Sequence, residues 1–146
     1  MLIALAAAPR ISTDQNPAQL ATQAAIYRDR YGVAHIVVSS DEALFYAHAW
    51  CQAEDHFEWM MRLYAAARGH AAKVLGPKYL QQDFDLLRLG VTEVAREEWQ
   101  RVPVWIKRCA QAWVEGLRAY MRTHPQAVKD WMPSPEPLDV LHLPMM

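Results

Sequence analysis

The sequence has few of the residues that define small disulfide-linked or zinc-binding proteins. Its 146 residues include only two cysteines, Cys51 and Cys109, and five glycines. Two cysteines so far apart in the chain cannot form a disulfide framework or a zinc knuckle, and they do not decide the redox compartment. Gly-rich phosphate loops, internal repeats and low-complexity tracts are also missing. These absences exclude several small-scaffold and nucleotide-binding classes.

An excess of positive or negative charge is missing too. The chain carries 15 Lys and Arg against 16 Asp and Glu, a formal net charge of -1, without any block of like charge. Nucleic acids and anionic membrane surfaces are usually bound through clustered positive charge. No stretch approaches the roughly 20 consecutive apolar residues that a membrane-spanning helix needs. The sequence therefore predicts neither a nucleic-acid partner nor a membrane span.

The residues that are present indicate one folded, helix-rich domain. Hydrophobic residues make up 53% and charged residues 21% of the chain, with six Trp and seven Met. A chain of this length fits one domain with a core of its own. The apolar run at residues 1–8 fits either the remnant of a signal peptide or an apolar first turn. We predict a flexible lead-in or signal-peptide remnant over residues 1–23 and a single helical domain over residues 24–146.

A β-hairpin is expected at the start of this domain. Two short runs rich in branched and aromatic residues, AAIY and VAHIVV, are separated by RDRYG. The glycine that ends this connection, Gly32, suits a turn residue with positive φ. Side chains alternate along a strand, so the second strand has two largely apolar faces, and we expect both to be covered. One face is formed by Val33, His35 and Val37, and the other by Ala34, Ile36 and Val38.

A long helix is predicted to follow the hairpin. Ser39, with Glu42 three residues later, matches a capping box, and the next glycine is Gly69, so the helix would span about 27 residues. Apolar residues point in nearly every direction around it, which is typical of a buried helix. The exception is a solvated strip spaced by four residues, formed by Glu54, Glu58 and Arg62.

Glycine and proline divide the remainder of the chain. Gly76 ends a short helical turn, and residues 83–100 fit one helix that Gly90 weakens. Pro103 suits the first turn of a further helix, which should end by His124 because Pro125 disfavours helical geometry in the residue before it. A proline-rich connector and the start of another helix close the sequence. The predicted fold class is mainly α, with one N-terminal β-hairpin and four to five helices.

Several polar side chains of the long helix raise the question of a metal site. His48, Gln52 and Asp55 share one helix face by their spacing. Neither the Glu-x-x-His pairs of a di-iron bundle nor the His-Glu-x-x-His of a zinc protease occurs. A metalloprotein using His48 and Asp55 is therefore the weaker hypothesis. We favour a buried polar ridge whose donors and acceptors are paired, with Arg28 or Asp29 as a partner.

A nucleophile is equally hard to assign. Cys51 and His56 lie five positions apart, so on a helix their side chains diverge by more than a quarter turn, and no third residue orients the histidine. A cysteine within an apolar helix is more often a small core residue, and the same holds for Cys109. No serine lies in a Gly-x-Ser-x-Gly elbow. From its residues alone, the chain carries no self-sufficient catalytic or metal-binding set of side chains.

Four motifs follow one another along the chain: YRDRYGVAHI, AHAWCQAEDHFEWM, ARGHAAKVLG and QQDFDLLRLG. In this order they resemble the start of the penicillin acylase family, which includes penicillin, cephalosporin and acyl-homoserine-lactone acylases. The likeness covers about Ile26 to Arg88, and a looser likeness continues to PEPLDVL. The sequence departs from the family pattern at Ala34, His48 and Lys73, where proline, glycine and glutamate are common. The residues that carry the match are Arg28, Asp29, Tyr31, Gly32, His35, Gln52, Glu54, Asp55, Gly69, Gly76, Asp83 and Arg88.

The resemblance implies an amidohydrolase that is made as a precursor. Members are N-terminal nucleophile hydrolases with an α+β fold, cut into an α chain and a β chain that begins with the catalytic serine. This chain would be an α subunit, or an N-terminal part of one, of an enzyme that cleaves the amide bond of an N-acyl substrate. Such an enzyme degrades antibiotics or quorum signals, and this chain would hold no catalytic residue. The alternative is a non-catalytic helical binding or structural protein derived from an acylase α chain.

The resemblance also implies partners and a location. A β chain would supply the nucleophilic serine, or the same apolar surface of the hairpin and long helix would drive self-association. The matched residues would serve the scaffold, with Asp55 and one arginine as a buried pair. The segments that line the acyl pocket, and that help to hold calcium in some members, come later in the family, so no cofactor is expected on this chain. Members are commonly exported, which predicts a periplasmic or extracellular location.

Overall fold

The computed structural model describes residues 16–139, which form six helices and one two-stranded antiparallel sheet. The predicted class, mainly α with one hairpin, is confirmed, although the helices in this range number six instead of four to five. Short 3-10 turns occur at Pro77–Tyr79 and Pro125–Ala127. The main elements in chain order are α1 (Pro17–Thr22), β1 (Ala24–Arg28), β2 (Ala34–Val38), α2 (Asp41–Ala67), α3 (Ala71–Leu75), α4 (Leu80–Arg88), α5 (Val91–Arg101) and α6 (Val104–Thr123).

Helix α1 lies within residues 1–23, the stretch predicted to be a flexible lead-in or a signal-peptide remnant. The Asn16 side chain accepts a hydrogen bond from Ala18 N at 3.0 Å, and Pro17 occupies the first helical turn. An Asn cap followed by proline is a favourable helix start. The helix packs against α2 and α6 and buries Leu20. Residues 1–15 of the lead-in, including the apolar run at residues 1–8, lie outside the described residues.

The strands β1 and β2 form the predicted hairpin, with Ile26 opposite Ile36. Gly32 in the connection has the predicted positive φ, 83°. Burial alternates along β2, and the face that carries Ile36 packs towards α2. The opposite face, with Val33 and Val37, is exposed. Within residues 16–139, the cover predicted for both faces is therefore present on one face only.

Helix α2 has the predicted length of 27 residues but a different cap. Ser40 is the N-cap, because its Oγ accepts a hydrogen bond from Ala43 N at 3.2 Å. Ser39, the predicted cap, instead extends the hairpin through a bond from its N–H to the Gln23 carbonyl oxygen. Both serines are good caps, and the hairpin ladder decides between them. His56, with a φ of -143° and a ψ of 24°, kinks the helix.

Helix α2 is buried on one face and not all round, which corrects the prediction of a buried helix. Its alanine-rich face packs against α6, whereas Leu44 and Trp59 are exposed. The two helices approach closely: a Cβ added at Gly116 of α6 would lie 2.2 Å from the Tyr46 carbonyl oxygen. Small side chains permit this approach, and they direct α6 to one face of α2. The core between them consists of Ala49, Ala53, Phe57, Met61, Tyr64, Leu117 and Tyr120.

The predicted single helix over residues 83–100 is wrong. Helix α4 ends at Arg88 and α5 begins at Val91, with Gly90 between them in the left-handed conformation at a φ of 65°. Glycine adopts this conformation without the steric cost that other residues meet. Gly90 therefore ends one helix and starts another at a new angle, where the sequence pattern suggested only a weak point.

Two other predicted helix ends are confirmed. Helix α3 ends before Gly76, and α6 ends at Thr123, just before His124. Helix α6 begins at Val104, with Pro103 as its N-cap and not within its first turn. These boundaries depend on the local conformation of one or two residues, since proline restricts the backbone of its own position and of the one before it. Local signals of this kind are readable without knowledge of the tertiary structure.

Candidate functional site

Four of the matched residues, Arg28, Gly32, Glu54 and Asp55, meet in one polar cluster centred on Arg28, which we call the Arg28 clamp. Arg28 Nη2 lies 2.9 Å from Glu54 Oε2 and 3.0 Å from Asp55 Oδ1, and Nη1 donates to the Gly32 carbonyl oxygen at 2.8 Å. Trp50 Nε1 donates to the other Glu54 oxygen at 3.0 Å. Hydrogen bonds to Glu54 and then to Asp55 raise the pKa of Arg28. The clamp ties the hairpin to α2.

The predicted pairing of Asp55 with an arginine is confirmed, but its predicted burial is wrong. The Arg28 and Asp55 side chains are 32% and 45% exposed. His48 is exposed as well, with its Nε2 3.4 Å from Gln52 Nε2 and its ring edge-on to Trp113 at a centroid distance of 5.3 Å. The prediction of a buried polar ridge therefore fails. Helix α6 packs against the alanine face of α2 and leaves the polar face outside.

A second polar group closes the hairpin turn. The Asp29 carboxylate accepts hydrogen bonds from Tyr31 N at 2.8 Å and from Val33 N at 3.0 Å. His35 Nε2 lies 3.4 Å from the other carboxylate oxygen. The pKa of Asp29 lies below its usual value, chiefly because the Tyr31 N–H binds the charged form. Asp29 thus holds the turn in shape, while the Tyr31 side chain is exposed.

The lowered pKa of Asp29 predicts a pH-dependent contribution to stability. The contribution is fully present above the unfolded-state pKa of about 4, and it is lost as the pH falls through the lower folded-state pKa. Asp29→Asn should therefore destabilise the chain at neutral pH and flatten the dependence of its unfolding free energy on pH below about 4. Urea unfolding across that range measures the slope, with the exposed Asp130→Asn as the control. Equal slopes for the wild type and Asp29→Asn would contradict the prediction.

Asp83 joins α4 to the start of α3. Its carboxylate is buried and accepts hydrogen bonds from Ala71 N and Ala72 N, each at 2.7 Å. The first N–H groups of a helix have no partner within the helix. Asp83 therefore caps α3 from a distance, a role that the sequence pattern did not indicate.

Loss of this cap should be measurable. Asp83→Ala removes two charge-assisted hydrogen bonds and leaves one buried and one partly buried N–H group without their acceptor, so we expect a destabilisation of about 2 kcal/mol. Asp85→Ala is the matched control on the same helix, because Asp85 makes only an exposed bond to Gln81. It should cost about 0.5 kcal/mol or less. Equal losses for the two variants in urea unfolding would show that the cap contributes nothing.

The remaining matched residues occupy positions at element ends. Gly69 follows α2 with a φ of 75°, and a Cβ there would lie 3.0 Å from Leu87 Cγ of α4. Gly76 ends α3. Arg88 is exposed and makes no hydrogen bond or ion pair within the described part of the chain. The matched set is thus spread over several elements, and only the Arg28 clamp and the adjoining turn bring many of its members together.

A buried ion pair that the sequence pattern did not indicate joins Arg68 to Asp139. Arg68 Nε donates to Asp139 Oδ1 at 2.9 Å and its Nη2 donates to Oδ2 at 2.8 Å, while Asp139 is only 2% exposed. Asp139 Oδ2 also accepts from Glu136 N at 2.8 Å, and Arg68 Nη2 donates to the Ser134 carbonyl oxygen at 2.9 Å. Burial lowers the pKa of Arg68, but hydrogen bonding to Asp139 together with the negative charges of Asp139 and Glu136 outweighs burial, so the pKa is raised overall. The pair fastens residues 134–139 to the end of α2.

Neither cysteine has the surroundings of a nucleophile. Cys51 and Cys109 are free thiols, both buried, and burial raises the pKa of each. A raised pKa lowers the thiolate fraction, which is the reactive form. His56 is exposed at the kink of α2 and makes no bond to Cys51. The thiols therefore act as small core side chains, in agreement with the sequence analysis.

Among residues 16–139, no three His, Cys, Asp or Glu side chains converge in a way that could hold a metal ion. No helix in residues 16–139 is both long enough and apolar enough to cross a membrane.

Two curated proteins resemble this chain over most of its length. The penicillin acylase 2 proenzyme of Pseudomonas sp. (strain SE83) is 28% identical over 116 residues, which cover 80% of this chain and 15% of the proenzyme. The penicillin G acylase of Escherichia coli is 25% identical over 113 residues, which cover 75% of this chain and 13% of that protein. This chain therefore spans less than one sixth of the length of either relative.

A solved structure and a family match agree with the likeness to these two relatives. The structure of a thermostable penicillin G acylase from Alcaligenes faecalis matches with a TM-score of 0.66 and 22% identity, covering 82% of this chain and 69% of that chain. At this identity the likeness concerns the fold alone. Residues 23–144 match the penicillin amidase family, and the alignment falls in the N-terminal region of acylase proenzymes. Since this match spans most of the sequence, the chain belongs to the penicillin amidase family.

Proposed function

We propose that this chain is part of the α chain of a penicillin acylase-like amidohydrolase, which hydrolyses the amide bond of an N-acyl substrate. A separate β chain supplies the serine whose hydroxyl attacks the amide carbonyl, with its own α-amino group as the base. Donors on that β chain stabilise the oxyanion. The role of the chain described here is to build the scaffold beneath these groups, with the Arg28 clamp holding the hairpin on α2.

The observation that carries this proposal is the exposed outer face of the hairpin, formed by Ala25, Tyr27, Val33, His35 and Val37. Tyr27 and Val37 are each 63% exposed and Val33 is 55% exposed. A contiguous apolar patch of this kind indicates a contact surface. A partner polypeptide that covers the outer face accounts for it.

Co-expression tests the proposal. The chain is produced alone, and together with the Ser-initiated polypeptide encoded in frame downstream of it, and each preparation is offered N-acyl β-lactams, N-acyl-homoserine lactones and N-acyl peptides. We expect a stable complex that hydrolyses at least one class, and no hydrolysis by this chain alone. Rapid hydrolysis by the isolated chain would contradict the proposal. A complex that forms without hydrolysis would favour a non-catalytic binding protein.

A matched pair of variants connects activity to the outer face. Val37→Glu places a charge at the centre of that face, while Gln111→Glu places one on an exposed position of α6. Both positions are exposed, so we expect little change in the stability of the isolated chain. Val37→Glu should abolish assembly and activity, and Gln111→Glu should leave both intact. Full activity of Val37→Glu would exclude the outer face as the contact surface.

The proposal includes a location. The assembled enzyme acts in the periplasm or outside the cell, because members of the family that the chain resembles are commonly exported. Fractionation of cells that express the full gene should recover the chain with periplasmic markers or in the culture fluid. Recovery with cytoplasmic markers would contradict this part of the proposal.

A further inference from the structure

The hairpin's ladder fixes which of its backbone groups face outward. Asp29 N donates to the Val33 carbonyl oxygen at 3.1 Å at one end, and Ser39 N donates to the Gln23 carbonyl oxygen at 3.2 Å at the other. In an antiparallel ladder, hydrogen-bonded and non-hydrogen-bonded pairs alternate. The two terminal bonds show that the pairs Asp29–Val33 and Gln23–Ser39 are both hydrogen-bonded. Between them, every second pair is therefore hydrogen-bonded, and the pairs in between are not.

Every second residue of each strand therefore directs its N–H and C=O groups away from the hairpin. These residues belong to the non-hydrogen-bonded pairs, of which Ile26 opposite Ile36 is the central one. No hydrogen bond joins these outward groups to another element within residues 16–139. The outer edge of β1 is formed by Ala24, Ile26 and Arg28, and the outer edge of β2 is formed by Ala34, Ile36 and Val38.

The two edges differ in how well they could accept another strand. Proteins protect a free edge with charged residues, proline or a bulge. The edge of β1 carries the charge of Arg28, and α1 packs beside this strand. The edge of β2 carries no charged residue, no proline and no bulge. Strand β2 therefore has the less protected edge.

The geometry points to strand addition at the outer edge of β2, where an extended segment of the β chain pairs with the backbone groups of Ala34, Ile36 and Val38. This inference rests on the proposed function for the identity of the partner. Main-chain hydrogen bonds supply the affinity in such a pairing, and alternate side chains supply the specificity. On the outer face the added strand would lie beside Val37 and His35, so apolar side chains are expected on that side.

A larger partner suits this edge better than a second copy of the chain. Pairing of β2 with its own copy would be two-fold symmetric about Ile36, but it would leave Tyr27, Val33 and Val37 exposed on both copies. A five-residue strand pair by itself buries far less than the roughly 1,000 Å² of a stable interface. A partner that adds a strand and also covers the outer face meets both requirements, and the curated relatives are several times longer than this chain.

Amide hydrogen exchange, resolved to single residues, tests the inference on the unmodified chain. In the isolated chain, the amides of Ala34, Ile36 and Val38 should exchange rapidly, because they face solvent. In the complex with the downstream Ser-initiated polypeptide, they should exchange at least about tenfold more slowly. The outward amides of β1 should change less.

Two proline variants provide a matched comparison on opposite edges. Ile36→Pro and Ile26→Pro each remove one outward N–H and one isoleucine side chain from the same cross-strand pair, while the ladder bonds of the hairpin remain possible. Comparable stabilities are therefore expected. Ile36→Pro should weaken assembly about tenfold or more, because it removes the central donor of the accepting edge. Ile26→Pro should weaken assembly by less than about threefold.

The outcomes separate this inference from the proposed function. An active complex in which the β2 amides stay unprotected, or in which both proline variants act alike, overturns strand addition and leaves the proposed function standing. Protection that appears in the isolated chain together with a dimeric mass in light scattering identifies a second copy as the occupant and overturns the inference. A downstream polypeptide that neither binds nor confers hydrolysis overturns the proposed function, and with it the assigned partner.

Discussion

Gly116→Ala is expected to destabilise the protein by about 3 kcal/mol or more, although alanine is the better helix former. A Cβ at this position would lie 2.2 Å from the Tyr46 carbonyl oxygen and 2.9 Å from the Ala49 Cβ. The first contact is with backbone, which cannot move aside as a flexible side chain does. Helices α2 and α6 would have to separate, and the core between them would lose its close packing.

Urea unfolding measures the change in unfolding free energy, and the sign of that change distinguishes the steric clash from the effect of helix propensity. Helix propensity alone predicts that Gly→Ala stabilises by up to about 1 kcal/mol. Gln111→Ala, at an exposed position of the same helix, is the control and should change the unfolding free energy by about 0.5 kcal/mol or less. If Gly116→Ala were as stable as the wild type, the close approach of α2 and α6 would be wrong.

Arg68→Met should cost about 3 kcal/mol or more, because it removes one partner of a buried ion pair. The side chain of Asp139 is only 3% exposed, so its carboxylate would keep a charge in a poorly solvated position without the bidentate guanidinium. The substitution preserves much of the apolar volume of the arginine stem. The loss is therefore expected to come from charge and hydrogen bonding.

An exposed pair serves as the reference for this prediction. Arg101 and Glu98 form an ion pair whose side chains are 75% and 49% exposed. Arg101→Met should change the unfolding free energy by at most about 1 kcal/mol, since solvent screens such pairs. Proteolysis adds a local readout, because residues 134–139 should become cleavable in Arg68→Met before the helices do. Similar losses for the two arginine variants would mean that burial adds nothing to the Arg68–Asp139 pair.

The sequence located features whose causes are local. Gly32 was assigned a positive φ and has one, and the ends of α3 and α6 lie where Gly76 and Pro125 place them. Each depends on the conformational range of one residue or its neighbour. The order of four motifs was sufficient to indicate the family, and the match over residues 23–144 confirms it.

Features that depend on tertiary contacts were missed or only half predicted. Asp55 was paired correctly with an arginine, but its exposure depends on which face of α2 receives α6. Gly90 was seen as a weak point of one helix, yet its left-handed backbone, with a φ of 65°, separates two helices. The hairpin ladder likewise decides which of Ser39 and Ser40 caps α2, because Ser39 pairs with Gln23 in that ladder.

By itself, then, the sequence determined the helical class, the hairpin, most element boundaries and the family, because these depend on periodicity, on turn residues and on motif order. Only the tertiary structure decided which faces are buried and which distant residues meet. Arg68 and Asp139 are 71 positions apart, and neither residue's local pattern identifies the other as its partner. Packing selects such pairs through the small side chains that let α2 and α6 approach, and that selection also leaves the outer face and edge of the hairpin open.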